Sequence, residues 1–132
     1  MPLAIAIALV FVLLGILWTA FAREKGPAPA DVAIAYERAW DDLDFDLLYD
    51  LSGDEMRDGL GRVQFIATKK KAYTADAHGR LGAEVAVEES VSTGQTALVV
   101  TRVTTPDGSV RNNVMLEHRP GGWLVVKYSI RQ

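Results

Sequence analysis

Acid–base chemistry needs a carboxylate or imidazole held away from bulk water, because desolvation and fixed neighbours tune its proton affinity to a reaction. In this 132-residue chain the groups to weigh for that role are Asp41, Asp42, Asp44, His78 and His118. Helical spacing puts Asp41 on a wet face, and Asp42 and Asp44 fall at a turn where capping and solvation account for them. His78 lies in a glycine-flanked loop and His118 beside Arg119 at a strand end, with no patterned carboxylate near either. No catalytic residue is therefore expected. The chain has no cysteine, which excludes disulfides, thiolate zinc sites and cysteine nucleophiles. No metal site and no cofactor are expected.

Charge narrows the partners. The formal net charge is −3 and is carried by the part after the apolar N-terminus, which disfavours nucleic acid. Lys69-Lys70-Lys71 is the one basic run. It reads as the solvated end of a helix, where cations suit the dipole, rather than as a patch for anionic headgroups.

The N-terminal segment, residues 2–22, is uncharged from Pro2 through Ala22 and apolar on every face, with Trp18 near its end and Arg23-Glu24-Lys25 closing it. At ~1.5 Å per residue it spans a hydrocarbon core of ~30 Å, so a single-pass membrane anchor is expected. Arg23, Lys25 and Arg38 follow the span and place the remainder in the cytoplasm by the positive-inside rule. Ala20-Phe21-Ala22 has the small-x-small form of a cleavage site, which would release the remainder outside as a secreted domain. The run exceeds a signal-peptide core of ~7–15 residues, and no Lys or Arg precedes it, both of which favour an uncleaved anchor on a side left open.

Residues 23–30, with Gly26-Pro27-Ala28-Pro29-Ala30, form a short stiff spacer. Residues 31–132 have room for one domain. Val32, Ala35, Tyr36, Ala39, Trp40 and Leu43 recur with helical period, with Asp31 as N-cap and Glu37, Arg38 and Asp41 on the opposite, wet face. Asp44 caps a short second helix over Phe45 to Leu51. Ser52-Gly53-Asp54-Glu55 matches a capping box for a third helix, broken at Gly59 and Gly61 and resuming from Arg62 to Tyr73. Thr74 to Gly82 reads as loop. The period then changes to that of strands over Ala83 to Thr93, Thr96 to Thr105, Val110 to Arg119 and Trp123 to Ile130, joined by hairpin-type turns. Four strands so joined make an antiparallel meander, and the preceding helices are its cover. Glu88-Glu89 interrupts the alternation where a bulge fits.

This order resembles the NTF2-like superfamily, a cystatin-like α+β cone in which a curled sheet wraps a long helix. The resemblance is carried by Tyr36-Glu37-Arg38-Ala39-Trp40-Asp41-Asp42-Leu43-Asp44-Phe45-Asp46-Leu47-Leu48-Tyr49-Asp50-Leu51-Ser52 and by the closing Gly122-Trp123-Leu124-Val125-Val126-Lys127-Tyr128-Ser129-Ile130. It covers the chain from about Asp31 to the C-terminus. The superfamily includes isomerases, dehydratases, small-molecule binders and protein-binding modules, so fold does not choose function. In such a cone Tyr36, Trp40, Tyr49 and Tyr128 are the candidate pocket-lining residues, since each has a polar tip that needs a partner when buried.

The resulting expectation is a membrane-anchored binding domain without catalysis, engaging a membrane-associated protein partner or a small apolar ligand. The resemblance also implies a homodimer as a candidate state. The alternatives are a small isomerase- or hydrolase-like enzyme with an Asp in the cone, and the secreted domain cut at Ala22. A buried Asp hydrogen-bonded to Tyr or His inside the cone would favour the enzyme, and a closed, fully apolar interior would sink it.

Overall fold

The computed structural model describes residues 27–73 and 83–131. The expected anchor Pro2–Ala22, its flanking charges and the loop with His78 lie outside the described residues. Among the described residues no helix is long and apolar enough to cross a membrane.

Helix α1 runs over Pro29–Asp42 and starts three residues earlier than a helix capped by Asp31 would. Ala28 is the extended N-cap residue and provides no side-chain bond, while Pro29 occupies the first turn, where its missing N–H is no loss. Asp31 is instead an acidic residue in the first turn, favourable to the helix dipole. Leu43 ends the helix in the left-handed region at φ 55, its N–H bonding back to the last carbonyls. Asp44 caps α2, Phe45–Leu51, by accepting from the Leu47 N–H at 3.1 Å, as its position predicts.

The capping box does not form. Ser52 Oγ turns back to donate to the Leu48 carbonyl at 2.6 Å, and Glu55 pairs with Arg119 on β3, so only a 3₁₀ turn over Asp54–Met56 results. A tertiary ion pair has outcompeted the local one. The uninterrupted helical stretch is α3, Arg62–Tyr73, beyond the two glycines.

Strands β1 (Glu84–Thr93), β2 (Thr96–Thr105), β3 (Gly108–Arg119) and β4 (Gly122–Ile130) form one antiparallel sheet in the order β1-β2-β3-β4. Gly94 begins the first two-residue turn at φ 62, a conformation glycine adopts without steric cost. The register shifts between Val87 and Glu89, which leaves Glu88 as the bulged residue, and again between Met115 and Leu116. Bulges bend a strand and raise its twist, curving the sheet toward the helices.

The concave face carries Ala97, Val99, Val114, Leu116 and Val125 against Val32, Ala33, Tyr36 and Ala39 of α1, Phe45 and Leu48 of α2 and Phe65 of α3. Helix α1 packs on β1, β2 and β4 as well as on α2, so it is covered on more than one side.

Candidate functional site

That enclosure overturns one feature of the helical-wheel reading. Glu37 and Asp41, assigned to the wet face, are 0% and 6% exposed. With Ala33 they follow one another at i, i+4 and i+8, a second row that faces the sheet while Tyr36 and Ala39 pack beside it. The reason is that α1 lies inside the curve of the sheet, and a wheel with one apolar stripe presumes a single covered side.

A buried carboxylate must find donors. Glu37 finds one from each of three adjacent strands. Thr101 Oγ1 on β2 and Asn112 Nδ2 on β3 each donate to Glu37 Oε2 at 2.7 Å, and the Tyr128 hydroxyl on β4 donates to Oε1. Thr101 and Asn112 face each other in register and are themselves 0% and 4% exposed. They form a polar row across an otherwise apolar inner face. Tyr36 stacks at a tilt on Tyr128, ring centroids 5.1 Å apart, closing the row on its β4 side. Asp41, one turn further along, accepts from the Ala83 N–H at 3.3 Å, which ties α1 to the start of β1.

The four aromatic candidates therefore separate into two groups. Tyr36 and Tyr128 meet at Glu37. Trp40 packs edge-on against Phe45 and Tyr73, with the Lys69 ammonium 5.6 Å from its ring, and its buried indole N–H has no hydrogen-bond partner among the described residues. Tyr49 packs against Phe65, with the Arg57 and Arg62 guanidinium groups 4.0 and 4.8 Å from its ring. Trp40 and Tyr49 thus serve the seam between the helices.

Of the acid–base candidates, Asp42 and Asp44 are exposed, and His118 is exposed with its ring edge-on to Trp123. Lys70 and Lys71 are exposed, as a solvated helix end predicts, but Lys69 folds inward over Trp40, Phe65 and Tyr73 with Asp58 3.7 Å away. Among the described residues no group of three or more His, Asp or Glu could hold a metal ion.

A second polar cluster ties the 3₁₀ turn to the end of β3. Arg119 donates to both Glu55 oxygens and to Glu117 Oε2. The Arg119 hydrogen bond holds the Glu55 carboxyl well below the usual 4.5, at about 2, and the same bond raises the Arg119 guanidinium. Gly53 makes the approach fit, since a Cβ there would stand 2.7 Å from Arg119 Nη1 and 2.9 Å from Glu55 Oε1.

Helices followed by a curved four-stranded meander, with a helix held inside the curve, define an NTF2-like α+β fold, and solved structures agree. An NTF2-like protein of unknown function from Shewanella oneidensis superimposes with a TM-score of 0.56 at 18% identity, over 77% of this chain and 94% of that one. One of unknown function from Silicibacter pomeroyi gives 0.54 at 18% identity, over 76% and 91%. A de novo designed protein with a curved β-sheet gives 0.53 at 16% identity, over 78% and 99%. No family model matches the sequence. No curated protein matches it at a significant level.

Proposed function

We propose that the chain is a membrane-anchored NTF2-like binding domain that engages a protein partner through its surface and performs no acid–base chemistry. The observation that carries this reading is the engagement of Glu37. Thr101, Asn112 and Tyr128 bond both its oxygens, and Glu37, Thr101 and Asn112 are 0%, 0% and 4% exposed. A general base must come within about 3 Å of the proton it removes, and a carboxylate so enclosed has no face left for a substrate. The packing of α1 on the inner face of the sheet argues against a small apolar ligand beside Glu37 and favours the surface as the place to bind. The anchor itself is supported by the uncharged run from Pro2 to Ala22.

Carbodiimide coupling of an amine to carboxyl groups, mapped by peptide mass, tests this reading. Exposed Asp42, Asp44 and Asp46 should be modified in the native protein, and Glu37 only after denaturation. Native modification of Glu37 at their rate would establish access for a small molecule. It would favour the second reading, an isomerase- or hydrolase-like enzyme, for which the Tyr128–Glu37 hydrogen bond is the supporting observation, with a glutamate where an aspartate was expected.

A further inference from the structure

The alternation of strand residues that turns Thr101 and Asn112 inward turns their neighbours Arg102 and Arg111 outward. These two stand opposite each other in register, and both bond Glu88, the bulged residue of β1, with Arg111 Nε at 2.9 Å. Arg131, just past the end of β4, hydrogen-bonds the Arg111 carbonyl through its backbone and pairs with Glu89 at 3.1 Å. Three guanidinium groups thus gather against two carboxylates, an excess of one positive charge in a chain whose total is −3.

They gather at a corner. The β3–β4 ladder ends at the pair Asn112–Ile130, and from there to Gly108 β3 is paired with β2 alone. An open depression of about 430 Å³ lies there, lined by Arg102, Ser109, Val110, Arg111, Ile130 and Arg131. Two of its lining residues are apolar and conspicuously wet: Val110 is 44% and Ile130 65% exposed. By register they belong to the opposite face from Arg102 and Arg111, so the rim presents cations on one side and aliphatic side chains on the other. Helix α1 reaches β4 through Tyr36, which stacks on Tyr128 two residues before Ile130, and it starts at Pro29, ~10 Å along its axis from Tyr36.

We propose that this corner is a docking surface for an anionic bilayer, its arginines meeting lipid phosphates while Val110 and Ile130 enter the interface; the proposal rests on the reading of residues 2–22 as an anchor. Charge complementarity favours that occupant. The half-exposed guanidiniums suit planar, bidentate contact with phosphate, and exposed aliphatics beside them are the pattern of an interfacial contact. A short spacer leading into α1 keeps the corner within reach of the surface, where an anionic leaflet attracts each cation.

The absence of cysteine permits a direct test. The full-length chain carrying Ile130→Cys, labelled with an environment-sensitive NBD dye, is reconstituted in phosphatidylcholine vesicles or in equal parts phosphatidylcholine and phosphatidylglycerol, each with lipid-borne nitroxide. The expected result is quenching in the mixed vesicles only, lost in high salt, with a Val63→Cys label on α3 unquenched in both. The triple change Arg102→Gln, Arg111→Gln, Arg131→Gln should weaken docking by about fivefold per arginine. Arg131→Gln alone, at the strand end, keeps the test open if the triple variant does not fold. Equal quenching in both vesicle types, none in either, or the same spectral change on adding inorganic phosphate to the phosphatidylcholine vesicles would overturn the proposal. Failure of the anchor reading is distinguished by release of the unlabelled chain from both vesicle types in alkaline carbonate.

Discussion

Removing the Glu37 side chain would take the acceptor from two buried donors, Thr101 and Asn112, and the cost of that exceeds the cost of the lost atoms. Each unsatisfied group costs about 1–3 kcal/mol, so Glu37→Ala should lose at least about 2 kcal/mol, a fall in Tm of at least ~8 °C for a domain of this size by thermal unfolding. Glu37→Gln keeps the shape and an acceptor and should fall less. Tyr128→Phe deletes one donor and should cost about 1–3 kcal/mol by the same measurement. Glu55 makes a pH-dependent contribution of known sign. Its folded-state carboxyl is depressed from 4.5 to about 2 by Arg119, so the pair stabilises above 4.5 and the contribution is lost as the pH falls toward 2. Wild type should exceed Glu55→Gln in chemical-denaturation midpoint near neutral pH, and the two should converge at about pH 2. Glu37 was not legible from its own helix, where a charged residue opposite an apolar stripe reads as solvated. The usable signal lay elsewhere: Thr101 interrupts Ala97, Val99 and Val103 at an inward position, and Asn112 precedes Val114 and Leu116 in the same phase. Two polar residues in register on a covered face require an inward partner from the helix layer.

Secondary-structure elements depend on short-range chemistry to different degrees. Asp44 capping α2 is fully local, since residue type, spacing and turn agree, and Asp44→Ala should cost about 1 kcal/mol while Asp44→Asn remains within a few tenths, read by thermal unfolding. Most strand limits were legible for the same reason, being set by turn residues such as Gly94 or Pro120-Gly121, but β3 starts two residues before Val110 because Gly108 and Ser109 pair with Thr105 and Thr104. Ser52 to Glu55 misled because the residue that decides its conformation, Arg119, is 64 positions away from Glu55. A capping box is worth about as much as any one hydrogen bond, and a two-pronged Arg–carboxylate pair outweighs it. Gly53→Ala tests the element directly. The added methyl must displace Arg119 or Glu55, and the pH dependence assigned to Glu55 should disappear with it.

For the whole molecule, the order of helices and strands was enough to reach the NTF2-like fold, because one meander sheet with helices on only one side leaves few ways to bury the apolar face. What the fold leaves open is how the chain is held. If the segment ending at Ala22 is retained, the intact mass of the purified native chain should include it and the protein should resist alkaline carbonate. A native mass beginning at Arg23 would instead establish release.

The Glu88 bulge has a bearing on self-association. A sheet with two margins offers two templates for strand addition, the route by which folded proteins enter fibres. The β4 margin is partly blocked, because Ser52 bridges Val125 and the Gly53 N–H bonds its carbonyl at 2.8 Å. The β1 margin has no such cover among the described residues, and there the bulge at Glu88 kinks the edge. A neighbour trying to zip onto β1 would meet a broken hydrogen-bond rhythm at the bulge. The irregularity that curves the sheet around its helix therefore also makes β1 a poor template for strand addition.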